Sequence, residues 1–537
     1  MKDLKTRTLS PLRKLLAPRP FFLFISIMVQ LSFVIGVILW FNDYFAFFYG
    51  FSLLLSVVAF LWVVNSRINS AYKIAWIIPI MLFPVFGGLF YLFMGRSKMN
   101  RKTAEQMRDY EDKTRQALMH QKEVAQMDVM PLLKTKSSHG QIQSQYISDF
   151  AGYPPFFSAE SQYLPIGEKK FLILQEELKK ARHYIFMEYF IIEEGVMWNG
   201  ILEILKEKVS EGVDVRLIYD DVGCLFTLPY GYDQKLESMG IKCCVFNRLT
   251  PLISLRQNNR DHRKITVIDG CVGFTGGINL ADEYINEIVK YGHWKDTGIM
   301  LKGPAVWSLT VMFLAMWDFL RGVEENFDDF RPDGPAVTPQ QKRSANDVSN
   351  NVRVWNGIVQ PFADSPLDDE SVGESVYLNM IYRANKYVYI TTPYLIIANE
   401  LVTALCTAAK GGVDVRIITP HKWDKRLVHL VTRTYYRTLV KSGVKIYEYT
   451  PGFMHGKTFV ADDRYGVVGT INMDYRSLYL HFVCGVWLYD TPCINELKND
   501  FLDTLKVCQP VTRESFENAG WDNVLVGSLL RVFAPLL

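Results

Sequence analysis

Residues 262–279 read HRKITVIDGCVGFTGGIN, and residues 455–472 read HGKTFVADDRYGVVGTIN. Both stretches place a histidine, a lysine, an aspartate and an asparagine at the same offsets, with a glycine three residues before the asparagine. One such string arises easily by chance, whereas two matched copies indicate an internal duplication. The paired residues are His262, Lys264, Asp269 and Asn279 in the first copy and His455, Lys457, Asp462 and Asn472 in the second.

The duplication extends beyond these stretches. The run GVDVR at 212–216 recurs letter for letter at 412–416. Strand-like runs precede it at 184–192 and 387–397, and helical patterns lie at 168–182 and 401–410. Alternating strands and helices predict an α/β fold of two repeats, each a mixed, mainly parallel sheet flanked by helices. The repeats are placed at 141–330 and 352–537, with 331–351 connecting them.

The N-terminal region, residues 1–96, predicts insertion into a membrane. It contains three apolar segments without charged residues, 21–41, 44–66 and 74–95. Each has about the 20 residues that cross a bilayer as a helix. Residues 97–140 are rich in charged residues and glutamine, and they predict a solvated helical linker between this region and the repeats.

The distribution of basic residues bears on membrane topology. Six Lys and Arg residues precede the first apolar segment and favour a cytoplasmic start. Basic residues also follow the third segment, although three full crossings would place them outside. Prolines and a glycine pair interrupt the third segment, which a bent or interfacial course would explain. We therefore predict a multi-pass protein of the cell membrane with a cytoplasmic catalytic part, and leave two or three full crossings open.

Composition excludes several other classes. The formal net charge of +3 does not call for a nucleic-acid partner. The eight cysteines are scattered without a CxxC pair, which favours reduced thiols over a zinc site. No histidine–carboxylate cluster has the spacing of metal ligands, so we predict neither a metal nor a cofactor.

The residue types of the two motifs indicate chemistry on a phosphodiester. Residues two apart in a strand share a face, so each histidine projects with its lysine. Asp269-Gly270 predicts a hairpin turn that returns Asn279 toward His262. If the two copies face each other, one neutral imidazole can attack phosphorus while the other donates a proton to the leaving oxygen. The lysines and asparagines would hold the non-bridging oxygens.

At these eight residues the chain resembles the phospholipase D superfamily. Residues 75–96, 303–306 and 472–478 also resemble bacterial cardiolipin synthases. The resemblance implies that two phosphatidylglycerol molecules combine into cardiolipin and release glycerol, with the phospholipid and the membrane as partners. It also implies that His262 is the nucleophile and His455 the general acid and later the base, although the sequence does not fix that order.

The family places a carboxylate outside each motif to orient the histidine. Asp296 fits this position for the first half, whereas Val483 stands where the second half would have glutamate. We expect Val483→Glu to raise turnover if orientation is lost, unless Asp474 substitutes for the missing group. Glu188 and Tyr394 are either pocket residues or ordinary sheet residues, and His481 is predicted to be structural.

Other readings of the sequence stay open. The chain could be a hydrolytic phospholipase D, a nuclease of the same superfamily or another phosphatidyltransferase, and the membrane segments disfavour a nuclease. An inactive membrane scaffold is a further alternative that rests on Val483 alone. The acceptor alcohol and the oligomeric state are not readable from the sequence.

Overall fold

A computed structural model describes most of the chain. The described residues are 45–66, 69–83, 87–91, 101–157, 159–249, 258–332, 356–368, 370–514 and 529–536, together with the isolated positions 25, 28–29, 32, 35–36 and 527. Most of the first apolar segment, the basic leader and nearly all of the connection predicted at 331–351 lie outside these residues.

Helices occupy the N-terminal region, the linker and the faces of the sheets. The α-helices are Phe45–Asn65, Ser70–Leu82, Gly87–Phe90, Arg101–Val124, Met130–Lys136, Ser138–Tyr146, Gly167–Lys179, Val196–Ser210, Tyr232–Ser238, Val306–Arg321, Val372–Arg383, Asn399–Lys410, Arg426–Lys441, Tyr475–Tyr479 and Cys493–Leu505. π-Helical turns at Ala125–Val129 and Ile147–Ala151 continue two of the linker helices.

The strands of the described residues, in chain order, are β1 Phe156–Phe157, β2 Glu160–Leu164, β3 Tyr184–Tyr189, β4 Asp214–Asp220, β5 Lys242–Phe246, β6 Arg260–Asp261, β7 Lys264–Ile268, β8 Val272–Gly276, β9 His293–Lys295, β10 Gly298–Lys302, β11 Ile358–Asp364, β12 Tyr387–Thr391, β13 Leu395–Ile396, β14 Asp414–Pro420, β15 Lys445–Tyr449, β16 Gly452–Met454, β17 Thr458–Ala461, β18 Tyr465–Gly469, β19 Met473–Asp474, β20 His481–Tyr489 and β21 Cys508–Pro510.

Each repeat folds around one mixed sheet. The first sheet has the order β2-β10-β8-β7-β3-β4-β5, and the second has β1-β11-β20-β18-β17-β12-β14-β15-β21. Along these strand orders, parallel pairing is confined to β3-β4-β5 and β12-β14-β15, and the remaining neighbours are antiparallel. The short strand β6 additionally pairs with β20 in parallel. The prediction of mainly parallel sheets is therefore wrong. Short hairpins such as β7–β8 reverse the chain without a crossover helix, and this favours antiparallel neighbours.

The GVDVR repeat marks equivalent turns in the two sheets. Gly212 and Gly412 adopt φ values of 90° and 95° before β4 and β14, a region that glycine enters without steric cost. Arg216 then stacks its guanidinium on Phe186, and Arg416 stacks on Tyr389. The same five residues therefore form the same local structure in both repeats.

The N-terminal helices pack on one another and on the second repeat. Gly88 lies against Ser56, whose hydroxyl accepts a hydrogen bond from the Gly88 amide at 3.1 Å. The Tyr72 ring contacts Tyr475 edge-on at 5.8 Å, and Asn69 donates to the Tyr479 hydroxyl at 3.0 Å. Across the described part of the chain, no helix has both the length and the apolar character of a bilayer span.

The linker helices are packed on the repeats, in contrast to the solvated linker that the sequence predicts. Tyr110 is buried, and its hydroxyl accepts a hydrogen bond from Arg263 at 3.2 Å. The linker also contacts both repeats: the Ala117 carbonyl accepts from Trp307, and the Ser137 hydroxyl hydrogen-bonds the Tyr465 hydroxyl at 2.8 Å. The charged composition masked a buried face, because these helices place only some positions toward the protein.

Candidate active site

Short strands that cross between the repeats position the two motif histidines. In one crossing, β6 of the first repeat pairs with β20 of the second. His262 comes directly after β6, and its backbone amide donates to the Phe482 carbonyl at 2.9 Å. In the other, β16 pairs with β9, and His455 donates its amide to Lys295 at 2.7 Å. Each histidine is thus fixed by the opposite repeat, and the two motifs meet at the seam between the sheets.

Asp296 contacts the histidine of the other repeat. Its Oδ2 accepts a hydrogen bond from Nδ1 of His455 at 2.6 Å, and both side chains are buried. The sequence analysis assigned Asp296 to the first-half histidine, and the structure corrects that pairing. The reason is the crossing of β9 and β16, which brings the end of β9 to the start of the second motif.

His262 has a neutral partner in place of a carboxylate. Its Nδ1 donates to the backbone carbonyl of Thr470 at 3.1 Å. The sheet registers make Val483 the equivalent of Asp296, because Gly298 pairs with Gly276 as Gly485 pairs with Gly469. Both imidazoles therefore engage Nδ1, and their Nε2 atoms are the nitrogens left for chemistry.

A second exchange accompanies the loss of this carboxylate. A Cβ atom added to Gly277 would lie 2.0 Å from Oδ1 of Asp296, so the first repeat needs glycine there. The equivalent residue of the second repeat is Thr470, because its amide donates to the Cys484 carbonyl as that of Gly277 donates to Thr297. Val483 stands at the position equivalent to Asp296. Each repeat thus has a matched pair of residues here. The first combines a glycine with an acid, Gly277 with Asp296, and the second combines a larger residue with an apolar one, Thr470 with Val483.

The motif lysines are held in the same way in both halves. Lys264 donates Nζ to the His262 carbonyl at 2.6 Å, and Lys457 donates to the His455 carbonyl. Both ammonium groups are buried. Burial and then Lys457 lower the pKa of Lys264 well below its usual value, whereas burial lowers the pKa of Lys457 to about 8 against the opposing effect of Asp296.

The histidine pKa values show that the two motifs share one electrostatic environment. Burial lowers the pKa of His262 well below its usual value, and Lys264, Lys457 and His455 lower it further. Burial and Lys457 lower the pKa of His455 to about 4, although Asp296 acts to raise it. Burial opposes ionisation of Asp296, but His455 and Lys457 outweigh it and hold the pKa of that carboxyl low. Such a cluster of cations favours an anionic ligand.

Asp269 and Asp462 lie outside this cluster. Asp269 accepts hydrogen bonds from the backbone amides of residues 182–184, and Asp462 accepts from those of residues 385–387. Both sit at hairpin turns with φ values of 50° and 55°, at the end of the strand remote from the histidine. They were predicted as catalytic residues, and the structure gives them the role of fixing the turn to the neighbouring strand.

The motif asparagines differ in their contacts. The side-chain oxygen of Asn279 accepts from the amide of Ile191 at 3.0 Å, and its nitrogen donates to Tyr284 at 2.7 Å. Both ends of that amide are thus occupied within the protein. Asn472 hydrogen-bonds Asp474, and its side-chain oxygen is buried without a partner among the described residues.

Aromatic side chains form the walls around the histidines. Phe190 contacts His262 at 5.2 Å between ring centroids, and Trp294 contacts His455 at 5.2 Å. His481 lies 5.7 Å from His262. The sequence analysis did not single out Phe190 or Trp294. Their positions in the sequence could have identified them. Phe190 lies within the predicted strand at 184–192, and Trp294 lies two residues before Asp296.

Two further candidates occupy separate positions. Glu188 is fully buried and forms an ion pair with Arg263 at 2.6 Å, behind the motif strand. Tyr394 donates its hydroxyl to Asp424 at 2.5 Å, and Asp424 acts electrostatically on Lys457 at the site. Within the described ranges, no group of three or more His, Cys, Asp and Glu side chains is arranged to hold a metal ion.

This fold and site define an enzyme of the phospholipase D class, in which each of two repeats contributes one histidine–lysine pair. The family model described as "Cardiolipin synthase, PLD-like domain" matches residues 174–305 and 377–505. The model described as "Phospholipase_D-nuclease N-terminal" matches residues 54–96. The chain belongs to the phospholipase D-type cardiolipin synthase family.

Individual relatives agree with this family. A protein of Geobacillus sp. strain WCH70 named cardiolipin synthase is 33% identical over 91% of this chain and 94% of its own length. A Streptococcus mutans protein without an assigned function is 43% identical over 89% of this chain and 99% of its own. Phosphatidylserine synthase of Haemophilus influenzae has a similar fold, with a TM-score of 0.53, 16% identity and coverage of 74% of this chain and 98% of that one.

Proposed function

We propose that this enzyme makes cardiolipin by moving a phosphatidyl group from one phosphatidylglycerol to another and releasing glycerol. The observation that carries the proposal is the meeting of two buried histidine–lysine pairs from separate repeats, with Asp296 bonded to one of the histidines. The two lysines lower the pKa values of both histidines, and a phosphodiester would place a negative charge beside these groups. Binding of that anion would raise the pKa values that the cations now depress.

The first step needs one neutral and one protonated imidazole. His262 suits the neutral role because its partner is the uncharged carbonyl of Thr470. His455 suits the acid because Asp296 stabilises its imidazolium. Nε2 of His262 then forms a bond to phosphorus, the bond from phosphorus to the glycerol oxygen breaks, and His455 donates its proton to that oxygen.

The second step reverses these proton movements. The terminal hydroxyl of a second phosphatidylglycerol gives its proton to the now neutral His455 and attacks phosphorus. The bond between phosphorus and His262 breaks, and cardiolipin is formed. In this proposal Lys264 and Lys457 donate to the non-bridging oxygens through both steps, with Asn472 donating through its side-chain nitrogen. The burial of both ammonium groups beside their histidines supports this role.

Membrane association is part of the proposal. The apolar segments at 44–66 and 74–95 carry no charged residue, which supports their insertion as a membrane anchor. Val289, Trp423 and Leu427 are exposed by 83%, 51% and 53%. We propose that they form an apolar rim of the site, because Trp423 precedes Asp424, which acts electrostatically on Lys457. Exposed apolar groups beside a lipid-processing site fit the headgroup layer of a bilayer. We place the catalytic part on the cytoplasmic side by the charge pattern.

The test uses full-length protein in phosphatidylglycerol vesicles. Wild-type protein is expected to release glycerol and cardiolipin in equal amounts, and His262→Ala is expected to remain folded without either product. A covalent lipid adduct that survives on His455→Ala but not on His262→Ala identifies the nucleophile. Phosphatidate as the main product would replace the proposal with a hydrolytic phospholipase D, and wild-type protein without any lipid product would favour the scaffold.

A further inference from the structure

A third histidine stands beside the proposed nucleophile. The His481 ring lies 5.7 Å from His262, and both of its ring nitrogens are buried without a hydrogen-bond partner among the described residues. The first repeat has Trp294 at the equivalent position, four residues before Gly298 as His481 is four before Gly485. The second repeat therefore places an imidazole, which can donate and accept hydrogen bonds, where the first has an indole.

Fixed cations surround this histidine. Burial lowers the pKa of His481 well below its usual value, and Arg476, Lys264, Arg260 and Lys425 lower it further. Arg260 is already paired with Asp220 at 3.0 Å. Arg476 and Lys425 both face the buried Asp474, whose carboxylate accepts a hydrogen bond from the Ser477 amide. A cluster of this sign beside the catalytic pair suits an anion.

We propose that His481, Arg476 and Lys425 form a second phosphate subsite, which binds the phosphodiester of the acceptor lipid. This inference rests on the proposed function and specifies its acceptor. Cardiolipin contains two phosphates joined by one glycerol, so the phosphate of the acceptor lies close to the one that reacts. His481 lies close to His262, with 5.7 Å between ring centroids. Neither water nor free glycerol carries a second phosphate, so the subsite would favour transfer over hydrolysis.

The surroundings of the cluster fit a substrate that arrives from a bilayer. Arg476 belongs to the helix Tyr475–Tyr479. Tyr72 of the N-terminal region packs on both ends of this helix, at 5.8 Å from Tyr475 and 6.2 Å from Tyr479. The N-terminal region therefore adjoins the helix that carries Arg476.

The experiment compares two acceptors on the same phosphatidyl donor. Full-length protein in phosphatidylglycerol vesicles makes cardiolipin from an anionic acceptor, and radiolabelled glycerol entering phosphatidylglycerol reports a neutral acceptor. Arg476→Gln and His481→Gln are expected to lower cardiolipin formation about 10-fold while glycerol exchange changes less than 2-fold. Lys425→Gln, at an exposed position, gives the same selective loss in a variant whose folding is not at risk.

Arg426→Gln is the matched control, because it removes a neighbouring exposed cation outside the cluster. It should leave both reactions unchanged. Equal losses of both reactions in Arg476→Gln and Lys425→Gln, or no loss in either, would overturn the subsite while the proposed function stands. Wild-type protein that transfers to neither acceptor would instead refute the proposed function itself.

Discussion

The paired exchange at Thr470 and Val483 gives the sharpest test of how the first histidine is supported. Val483→Asp introduces the carboxylate that the second repeat lacks, and Thr470→Gly introduces the glycine that the first repeat has at Gly277. The structure changes the expectation for a single acidic substitution. An acid at position 483 needs the space that Thr470 now fills, so it should help only when both residues are exchanged.

The magnitude follows from burial and overlap. Val483 is fully buried, and its loss costs about 1.5–3 kcal/mol of apolar burial. The 2.0 Å approach calculated for a Cβ at Gly277 indicates an overlap at Thr470 of about 1–3 kcal/mol. Adding Thr470→Gly removes the overlap and permits a charged hydrogen bond to His262 of about 1.5–3 kcal/mol. Glycine flexibility and the lost threonine hydroxyl cost about 1–2 kcal/mol. The double variant should therefore be about 3 kcal/mol more stable than Val483→Asp.

Two measurements check this expectation. Unfolding of the detergent-solubilised full-length protein for the wild type, both single variants and the double variant gives the coupling energy. The pH profile of kcat/KM gives the second readout. A carboxylate beside His262 raises its pKa, so the proton is retained to higher pH and the acidic limb moves upward in the double variant. The reasoning is refuted if Val483→Asp alone matches the double variant in stability and pH profile.

The mirror-image exchange is the control. Gly277→Thr alone should clash with Asp296 and destabilise the protein, whereas Gly277→Thr with Asp296→Val should fold and lose the carboxylate of His455. If Gly277→Thr is tolerated with Asp296 in place, the matched pairs are accidental.

Three further predictions follow from the site and its surroundings. Asp296→Asn should lower kcat for cardiolipin formation about 100-fold, because the His455 imidazolium loses its counter-charge; an unchanged kcat would contradict the assignment of His455 as the acid. Asp462→Ala should lower the free energy of unfolding by about 1–3 kcal/mol in urea titrations, since three backbone amides lose their acceptor. If the variant instead keeps full stability and loses kcat, Asp462 is a catalytic residue after all. Trp423→Ser should raise KM for phosphatidylglycerol in vesicles about 5-fold with kcat retained. If this variant raises KM equally for vesicles and for a short-chain soluble substrate, the apolar rim does not act on the bilayer.

The sequence was sufficient for the duplication and for the two histidine–lysine pairs. The predicted strand alternation does not cover the histidines, because His262 lies just before β7 and both His455 and Lys457 lie before β17. Each lysine nevertheless donates to the carbonyl of its histidine. The glycines of 212–216 and 412–416 marked equivalent turns. These features are local, because the period of a strand and the conformation of a glycine turn depend on neighbouring residues. Local signals were also enough to predict that strands and helices alternate.

The partner of Asp296 could not be predicted in the same way. It depends on the parallel contact of β9 with β16, which joins residues that are 159 positions apart at Asp296 and His455. The spacing of residues within one motif does not indicate which strand of the other repeat it will contact. The aspartates of the motifs misled for a different reason, because a turn carboxylate that caps backbone amides has the same constant spacing from the histidine as a catalytic one. The position of Asp269 and Asp462 at hairpin turns could have indicated their structural role.

The unequal support of the two histidines bears on the fate of the proposed intermediate. A phosphohistidine at His262 carries positive charge on its ring, and a carboxylate at position 483 would stabilise that charge. The neutral carbonyl of Thr470 stabilises it less, so the intermediate remains more reactive toward the next hydroxyl. His455, which holds and returns a proton in the proposed steps, has the carboxylate of Asp296. The carboxylate is therefore absent beside the proposed nucleophile, where a long-lived adduct would slow transfer, and present beside the proposed acid.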